Sequence, residues 1–304
     1  MKVLCIPKTS LGDFTVFWSA FRPWAEDIGA EITIVAQTNW IRLMPYLGIK
    51  KVIEYPIGLL HHGSTSSTDY LIPKINNESW EMSFDFIGSE TSINLIRNVR
   101  SKNRFFFCPT VECGRKCKYL SLNQWTALVN QIPMEGDRDA EVLKYFTGWD
   151  NQRSVKTPIF VQRRKIVNNN RIFLHFGASR PEKCMDLPWW AKVSDLLLDR
   201  KLDVIWNQGP SECSWGMTIP QNATIVRPYD VLNLLEVLES CSVYAGNDSG
   251  PMHVAANLGL PIFAVWVEAD FKEWFPWETS SRNYFVDRTI SPTEAAEKIF
   301  SLLL

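Results

Sequence analysis

Hydrophobic positions in this chain alternate between two rhythms. Short runs of β-branched and apolar residues, 2–7, 31–36 and 51–55, predict strands. Between them stand Phe14, Phe17, Trp18, Phe21 and Trp24 at helical spacing, and a second helical stretch over 39–47. Gly29 stops the first helix, which the pattern carries to about Ile28. The order is strand, helix, strand, helix, strand, the signature of a doubly wound parallel sheet. A polar loop follows at 61–68, then a strand over 83–88, a basic helix over 92–100 and a strand over 104–108. Residues 122–132 and 140–146 read as helices.

The polar stretch 148–158 leads into a linker, and the pattern then begins again. Strands are expected at 172–176, 203–207, 223–226, 241–245, 262–266 and 284–286, with helices at 188–201, 231–240 and 251–258. Ser291-Pro292-Thr293-Glu294 has a cap, an N1 proline and an N3 glutamate, and begins a last helix that runs to Leu304. The expected domains are 1–160 and 161–304, with the last helix packing in the second or back on the first. Two successive α/β halves imply a cleft, with sites at the carboxyl ends of the strands.

Composition narrows the class. The chain has 304 residues, 46% of them hydrophobic and 21% charged, enough for two packed domains. A net charge of −1 argues against a dedicated nucleic-acid binder. No apolar run approaches the roughly 18 residues of a membrane span. The start, MKVLCIPKTSLGD, has no h-region and reads as a first strand rather than a signal peptide. Seven scattered cysteines point to reduced thiols and a cytoplasmic protein. The 13 tryptophans read first as core and rim fillers, and second as sugar-stacking or membrane-surface groups. The aromatic stripe from Phe14 to Trp24 faces either the core, the better reading, or an acyl chain.

Candidate chemistry lies in three turns. Asn247-Asp248-Ser249-Gly250 follows a strand and precedes a helix opened by Pro251 and closed by Gly259. Such a turn offers free N–H groups, expected over 249–252, to a phosphate or pyrophosphate. Asp248 would repel that anion directly, so it pairs with Lys183 or braces the turn. His253, one turn into the helix, is either a core histidine or a ligand group. The second turn, Gly177-Ala178-Ser179, lets a backbone approach a ligand, with a hydroxyl at Ser179 and a movable charge at Lys183. Glu212, past the strand ending at Asn207, is either a solvated loop residue or a ribose contact. The third turn holds Ser10, Gly12 and Asp13. Asp13 reads as a helix N-cap or as a general base. His61 and His62 read as loop residues before metal ligands, and Cys108, Cys113 and Cys117 as free thiols in a basic loop before a zinc site. Arg163-Arg164-Lys165 reads as a solvated linker face before a contact with an anionic membrane.

Three motifs in this order resemble a family. Asp248-Ser249-Gly250-Pro251-Met252-His253-Val254-Ala255-Ala256-Asn257-Leu258-Gly259-Leu260-Pro261 resembles the D-[ST]-G-x-x-H-x-A-x-x-L-G-x-P signature of the lipopolysaccharide heptosyltransferase-like glycosyltransferases, family nine. Ser10-Leu11-Gly12-Asp13 is similar to its N-terminal S-[LM]-G-D, and Gly177-Ala178-Ser179 with Lys183 to its G-x-[ST]-x-x-x-K. The resemblance implies a GT-B architecture: two Rossmann-like domains facing a central cleft, acceptor on the first and sugar nucleotide on the second. It implies an inverting, metal-independent transfer of heptose or a related sugar from a nucleotide-diphosphate donor, ADP-linked among the options. The acceptor would be a glycan or lipid-linked group such as lipopolysaccharide core, with a peripheral contact to the inner membrane as a corollary and no resident cofactor. By the resemblance Asp13 is the base, on the acceptor side with Ser10 and Gly12. Gly177, Ser179, Lys183, Asp248, Ser249, Gly250 and His253 line the donor diphosphate, with Lys183 stabilising the leaving group, and Glu212 falls near the nucleoside. Two departures stand out. Val267-Glu268-Ala269-Asp270 is acidic where the family has Phe-Gly and Thr, and Lys183-Cys184-Met185-Asp186-Leu187-Pro188 replaces its Lys-x-Trp-Pro. A non-catalytic nucleotide- or glycan-binding paralogue and a sugar-nucleotide epimerase or hydrolase are the rival readings.

Overall fold

The computed structural model describes residues 1–107, 117–120, 122–132, 135–150, 170–214, 219–220, 223–228, 230–268 and 282–304. The chain separates into two compact units, Met1–Val155 and Lys156–Leu304. The boundary expected after residue 160 lies outside the described residues.

The first unit holds strands β1 (Lys2–Ile6), β2 (Glu31–Gln37), β3 (Lys51–Tyr55), β4 (Trp80–Asp85), β5 (Ser101–Phe107) and β6 (Cys117–Leu120). Its helices are α1 (Leu11–Asp27), α2 (Leu59–His62), α3 (Leu71–Ile75), α4 (Glu90–Arg97), α5 (Leu122–Gln131) and α6 (Glu135–Thr147). The strands pair in the order β3-β2-β1-β4-β5-β6, all parallel.

The second unit holds β7 (Arg171–His175), β8 (Asp203–Asn207), β9 (Thr224–Val226), β10 (Val243–Asn247), β11 (Ile262–Trp266) and β12 (Tyr284–Asp287). Its helices are α7 (Leu187–Leu198), α8 (Pro210–Ser214), α9 (Val231–Glu239), α10 (Gly250–Asn257) and α11 (Pro292–Ser301). The order is β12-β11-β10-β7-β8-β9, again all parallel. Read from β9, this is the same topology as the first unit. Each half winds outward from its first strand and then returns to the other side, so each has one switch point, β1/β4 and β7/β10.

Strands covered on both faces carry no polar alternation, because neither face meets water. β10 and β11 are buried at every position. In the first unit the α1 rings stack on one face: Phe21 meets Phe84 and Phe86 edge-on with centroids 5.5 and 6.0 Å away. All five residues of the aromatic stripe are buried, so it is core rather than an acyl-chain surface. Leu4 and Ile6 pack with Leu60, Leu71, Ile93 and Ile96 in a separate core cluster. In the second unit Trp190, Val193 and Leu197 of α7 join Ala295, Ala296 and Ile299 of α11 over Leu174, Val243 and Val265. The last helix therefore shares the second core, and Trp189 Nε1 donates to Ile290 O at 3.1 Å beside it.

Three stretches differ from expectation. Residues 61–68 are not an open loop: one helical turn ends at His62, and Thr65–Thr68 is a 3-10 turn. Thr91 Oγ1 donates to Gly63 O at 2.6 Å and ties this stretch to α4, a contact no local pattern reveals. The 39–47 helix is a 3-10 helix, Thr38–Leu47, with Pro45 inside it and Gly48 at φ +76° ending it. β6 was missed. Its first residue is Cys117, while Cys108 and Cys113 lie outside the described residues, as do Arg163-Arg164-Lys165.

Candidate active site

β7 and β10 are neighbours, but β7 leads on to β8 at one side and β10 to β11 at the other. The loops leaving their carboxyl ends therefore diverge and leave a crevice, the place where open α/β sheets bind ligands. The two polar turns of the second half, 176–183 and 247–250, are those loops.

Asn247 fastens them to each other. It is fully buried, its Nδ2 donates to Phe176 O at 2.6 Å, and its Oδ1 accepts from Met185 N at 3.1 Å. Tyr244 braces the far side: its hydroxyl donates to Asn247 O at 3.2 Å and lies 3.0 Å from Ser249 Oγ. Burial holds that phenol well above its ordinary pKa, so it remains a hydrogen-bonding group. Gly246 is sterically required, because a Cβ there would stand 2.5 Å from both His175 O and Tyr244 Oη. The strand runs to Asn247, two residues past the expected end at Ala245, so Gly246 is a strand residue and not part of the turn. Tyr244 looks in sequence like an ordinary member of an apolar strand, and only its hydrogen bonds to Asn247 O and Ser249 Oγ set it apart.

The N-terminus of α10 is open. Its N-cap, Ser249, is extended at φ −163° and ψ 163°, and its side chain makes no capping bond because Tyr244 engages it. Met252 N donates to Ser249 O at 3.1 Å, and Pro251 has no N–H. The expectation of donors over 249–252 is corrected to two, the N–H groups of Ser249 and Gly250, which have no acceptor among the described residues. Beside them Lys183 Nζ lies 3.3 Å from Asp248 Oδ2, with side-chain exposures of 21% and 9%. Asp248 thus pairs with the lysine, one of the two arrangements expected. Gly177 is buried, Ser179 is exposed, and His253 is buried one turn into α10.

Glu212 is not a solvated loop residue. It lies in α8, 3% exposed, with its carboxylate folded against Gly177 and Gly209. Burial raises its pKa, and hydrogen bonds from its own backbone and that of Gly209 oppose the rise. At the carboxyl ends of β7 and β8 His175 Nδ1 and Asn207 Nδ2 are 2.8 Å apart, and burial lowers the His175 pKa to about 4. The imidazole is therefore neutral at physiological pH, and Nδ1 accepts from the amide.

In the first unit the turn after β1 is built by Ser10. Its side chain accepts from Asp13 N at 3.2 Å, so Ser10 is the N-cap and Asp13 is the N3 residue. The capping role considered for Asp13 is thus corrected. The Asp13 carboxylate is partly exposed and makes no hydrogen bond or ion pair among the described residues. Ser10 is exposed and Gly12 partly so. Lys8, just upstream, pairs with the buried Asp139 at 2.8 Å. A small recess, with room for little more than a water molecule, is lined by Lys8, Thr9, Phe14, Gln37, Trp40 and Tyr55 among others at the carboxyl ends of β1 to β3. Among the described residues no three His, Cys, Asp or Glu side chains converge on a point.

The geometry agrees with comparisons to known proteins. The curated lipopolysaccharide heptosyltransferase 3 of Escherichia coli is 24% identical over 122 residues, 38% of this chain and 36% of that protein. The aligned stretch thus spans about a third of that relative's length. A family 9 glycosyltransferase structure from Veillonella parvula superposes with a TM-score of 0.82 at 15% identity, covering 99% of this chain and 97% of the other. Escherichia coli ADP-heptose lipopolysaccharide heptosyltransferase II superposes at 0.71 with 16% identity, over 100% and 98%. Escherichia coli heptosyltransferase WaaC with ADP-2-deoxy-2-fluoro heptose gives 0.74 at 15% identity, over 99% of each chain. At these identities the superpositions establish the GT-B fold. The family model for glycosyltransferase family 9 (heptosyltransferase) matches residues 110–303, which include the whole second unit's site, and by that match the chain belongs to this family.

Proposed function

We propose that this protein transfers a heptose or related sugar from a nucleotide-diphosphate donor to a hydroxyl of a glycan or lipid-linked acceptor of the lipopolysaccharide-core type. The observation that carries the reading is the pair of free N–H groups at Ser249 and Gly250 beside the Lys183–Asp248 pair, at the β7/β10 switch point. Two aligned amides at a helix N-terminus and a nearby ammonium suit a diphosphate. Solved relatives were crystallised with ADP-2-deoxy-2-fluoro heptose and with ADP, which makes ADP the first nucleotide to test.

In the reaction, an acceptor oxygen attacks the anomeric carbon from the face opposite the donor phosphate, so configuration inverts. The bond between that carbon and the phosphate oxygen breaks, and the diphosphate leaves with the electron pair. Asp13 takes the acceptor's proton. Its carboxylate suits this role because Ser10 already caps α1. Lys183 and the two amides meet the charge that develops on the leaving group, work that a divalent cation does in other transferases. Glu212, buried beside Gly177, is the group for the nucleoside hydroxyls. No helix among the described residues is long and apolar enough to cross a membrane. A lipid-carried acceptor would bring the enzyme to the cytoplasmic face of the inner membrane.

The test is Asp13→Asn with ADP-heptose as donor and a heptose-acceptor core oligosaccharide. Turnover should fall about 10²–10⁴-fold. The thermal shift produced by ADP should persist, because the donor site is untouched. Turnover should also survive a chelator. Undiminished turnover in the variant would remove Asp13 from the mechanism.

A further inference from the structure

The turn after β7 is held by two ion pairs. Lys183 reaches Asp248, and Arg180 Nη2 lies 3.1 Å from Glu268 Oε2. The second pair joins loops that leave non-adjacent strands. β10 runs between β7 and β11, and β7 and β11 therefore stand about 9.6 Å apart. Arg180 lies five residues past the end of β7 and Glu268 two past the end of β11. For their side chains to meet, they must cross beyond the carboxyl end of β10, where Asp248, Ser249 and Gly250 stand.

The charge around that point is not yet suited to a dianion. The Lys183 ammonium is matched by Asp248. Burial first, and then the charges of Glu212 and Glu182, raise the neighbouring Cys184 thiol to about 12. A diphosphate adds about two more negative charges. The amides offset part of that, and Arg180 is the remaining cation of the turn. It is 60% exposed and Glu268 40%, the kind of exposed pair that exchanges partners easily. Its planar fork suits phosphate oxygens as well as a carboxylate.

We infer that Arg180 is a second cation for the donor diphosphate, held in reserve by Glu268, so that Glu268 sets donor affinity by competing for the same guanidinium. This rests on the reading of the 247–250 turn as the diphosphate site. On binding, Arg180 exchanges the Glu268 carboxylate for a phosphate oxygen, and Glu268 is released to solvent or to the hydroxyls of the transferred sugar.

The experiment is a double-mutant cycle read by calorimetric titration of the full chain with ADP, and with inorganic pyrophosphate as a base-free probe. Glu268→Gln should tighten ADP binding about two- to fivefold. Arg180→Gln should weaken it about tenfold. In the Arg180→Gln background, Glu268→Gln should change nothing. Equal tightening in both backgrounds would mean simple repulsion and would overturn the exchange. Weaker binding in Glu268→Gln would mean that the pair holds the turn in shape, and would overturn it as well. Should the unaltered chain bind neither probe, the anion site falls and this inference with it. Should ADP bind and Lys183→Ala weaken it while the cycle shows no coupling, only the reserve cation falls.

Discussion

Glu212 folds its carboxylate into the space that any side chain at position 177 would occupy. A Cβ on Gly177 would collide with the Glu212 carboxyl group, and one on Gly209 would stand 2.7 Å from Glu212 Oε2. The two glycines are therefore the mould for a buried acid. They also explain why a carboxylate 35 residues further along the chain lies beside the turn after β7.

Gly177→Ala tests this directly. The methyl group displaces the Glu212 side chain, which is flexible enough to move, so the fold should survive. Nucleotide affinity should fall about tenfold, as it does when one charge-assisted hydrogen bond is lost. Glu212→Ala should give a similar loss, and the double variant should be no worse than either alone. Additive losses in calorimetric titrations would show that Gly177 acts separately from Glu212.

His175 should make the second unit sensitive to acid. Its folded pKa is about 4 against an ordinary 6.5, a drop caused by burial. The folded state thus binds the proton less well than the unfolded state. The stability linked to this group is complete above pH 6.5 and is lost as pH falls towards 4, to the extent of about 3 kcal/mol. His175→Gln keeps an acceptor for Asn207 and cannot titrate. Amide protection factors in β7 and β10, referred to the intrinsic exchange rate at each pH, should fall between pH 6.5 and 4 in the unaltered chain, and less so in the variant. An equal fall in both would place the acid sensitivity elsewhere.

Asp85 carries the opposite sign in the first unit. It is buried at the end of β4, and burial lifts its pKa from 3.8 to about 6. Hydrogen bonds from Ser92 Oγ at 2.8 Å, Ile87 N at 2.9 Å and Gly88 N at 3.3 Å oppose that rise without cancelling it. The folded state here binds the proton more tightly, so the linked stability is present below pH 3.8 and is lost as pH rises through 6. Asp85→Asn keeps an acceptor for the two backbone donors and removes the charge. It should stabilise the first unit by up to about 3 kcal/mol at pH 8, with the gain shrinking towards pH 4. Exchange rates in β1 and β4 as a function of pH would check this, and destabilisation at pH 8 would refute it.

Much of this protein could be read from its residues in order. Short apolar runs and the period-3.6 pattern placed both βα series, because a buried strand and an amphipathic helix each leave a local hydrophobic signature. Gly259, at φ +73°, and Pro251 marked the ends of α10, because those residues act through their own backbone. The turns at 177–183 and 247–250 were visible as breaks of small residues after apolar runs. The Lys183–Asp248 pairing was one of the two arrangements expected from the cost of leaving a carboxylate unpaired at an anion site.

Other features depended on residues far apart in sequence. Which residue caps α1 depended on where the helix begins: it begins at Leu11, so Ser10 is the cap and Asp13 supplies the N–H that it accepts. The burial of Glu212 needed Gly177, the role of Asn247 needed Phe176 O and Met185 N, and the requirement for glycine at 246 needed His175 O and Tyr244 Oη. The Arg180–Glu268 pair exists because β10 is inserted between β7 and β11, an order that no local pattern encodes. Hydrophobic period is a property of neighbours along the chain, so the sequence alone determined the elements and their turns. Hydrogen bonds, ion pairs and steric exclusion act across strands, so only the tertiary structure decided which side chains form the site.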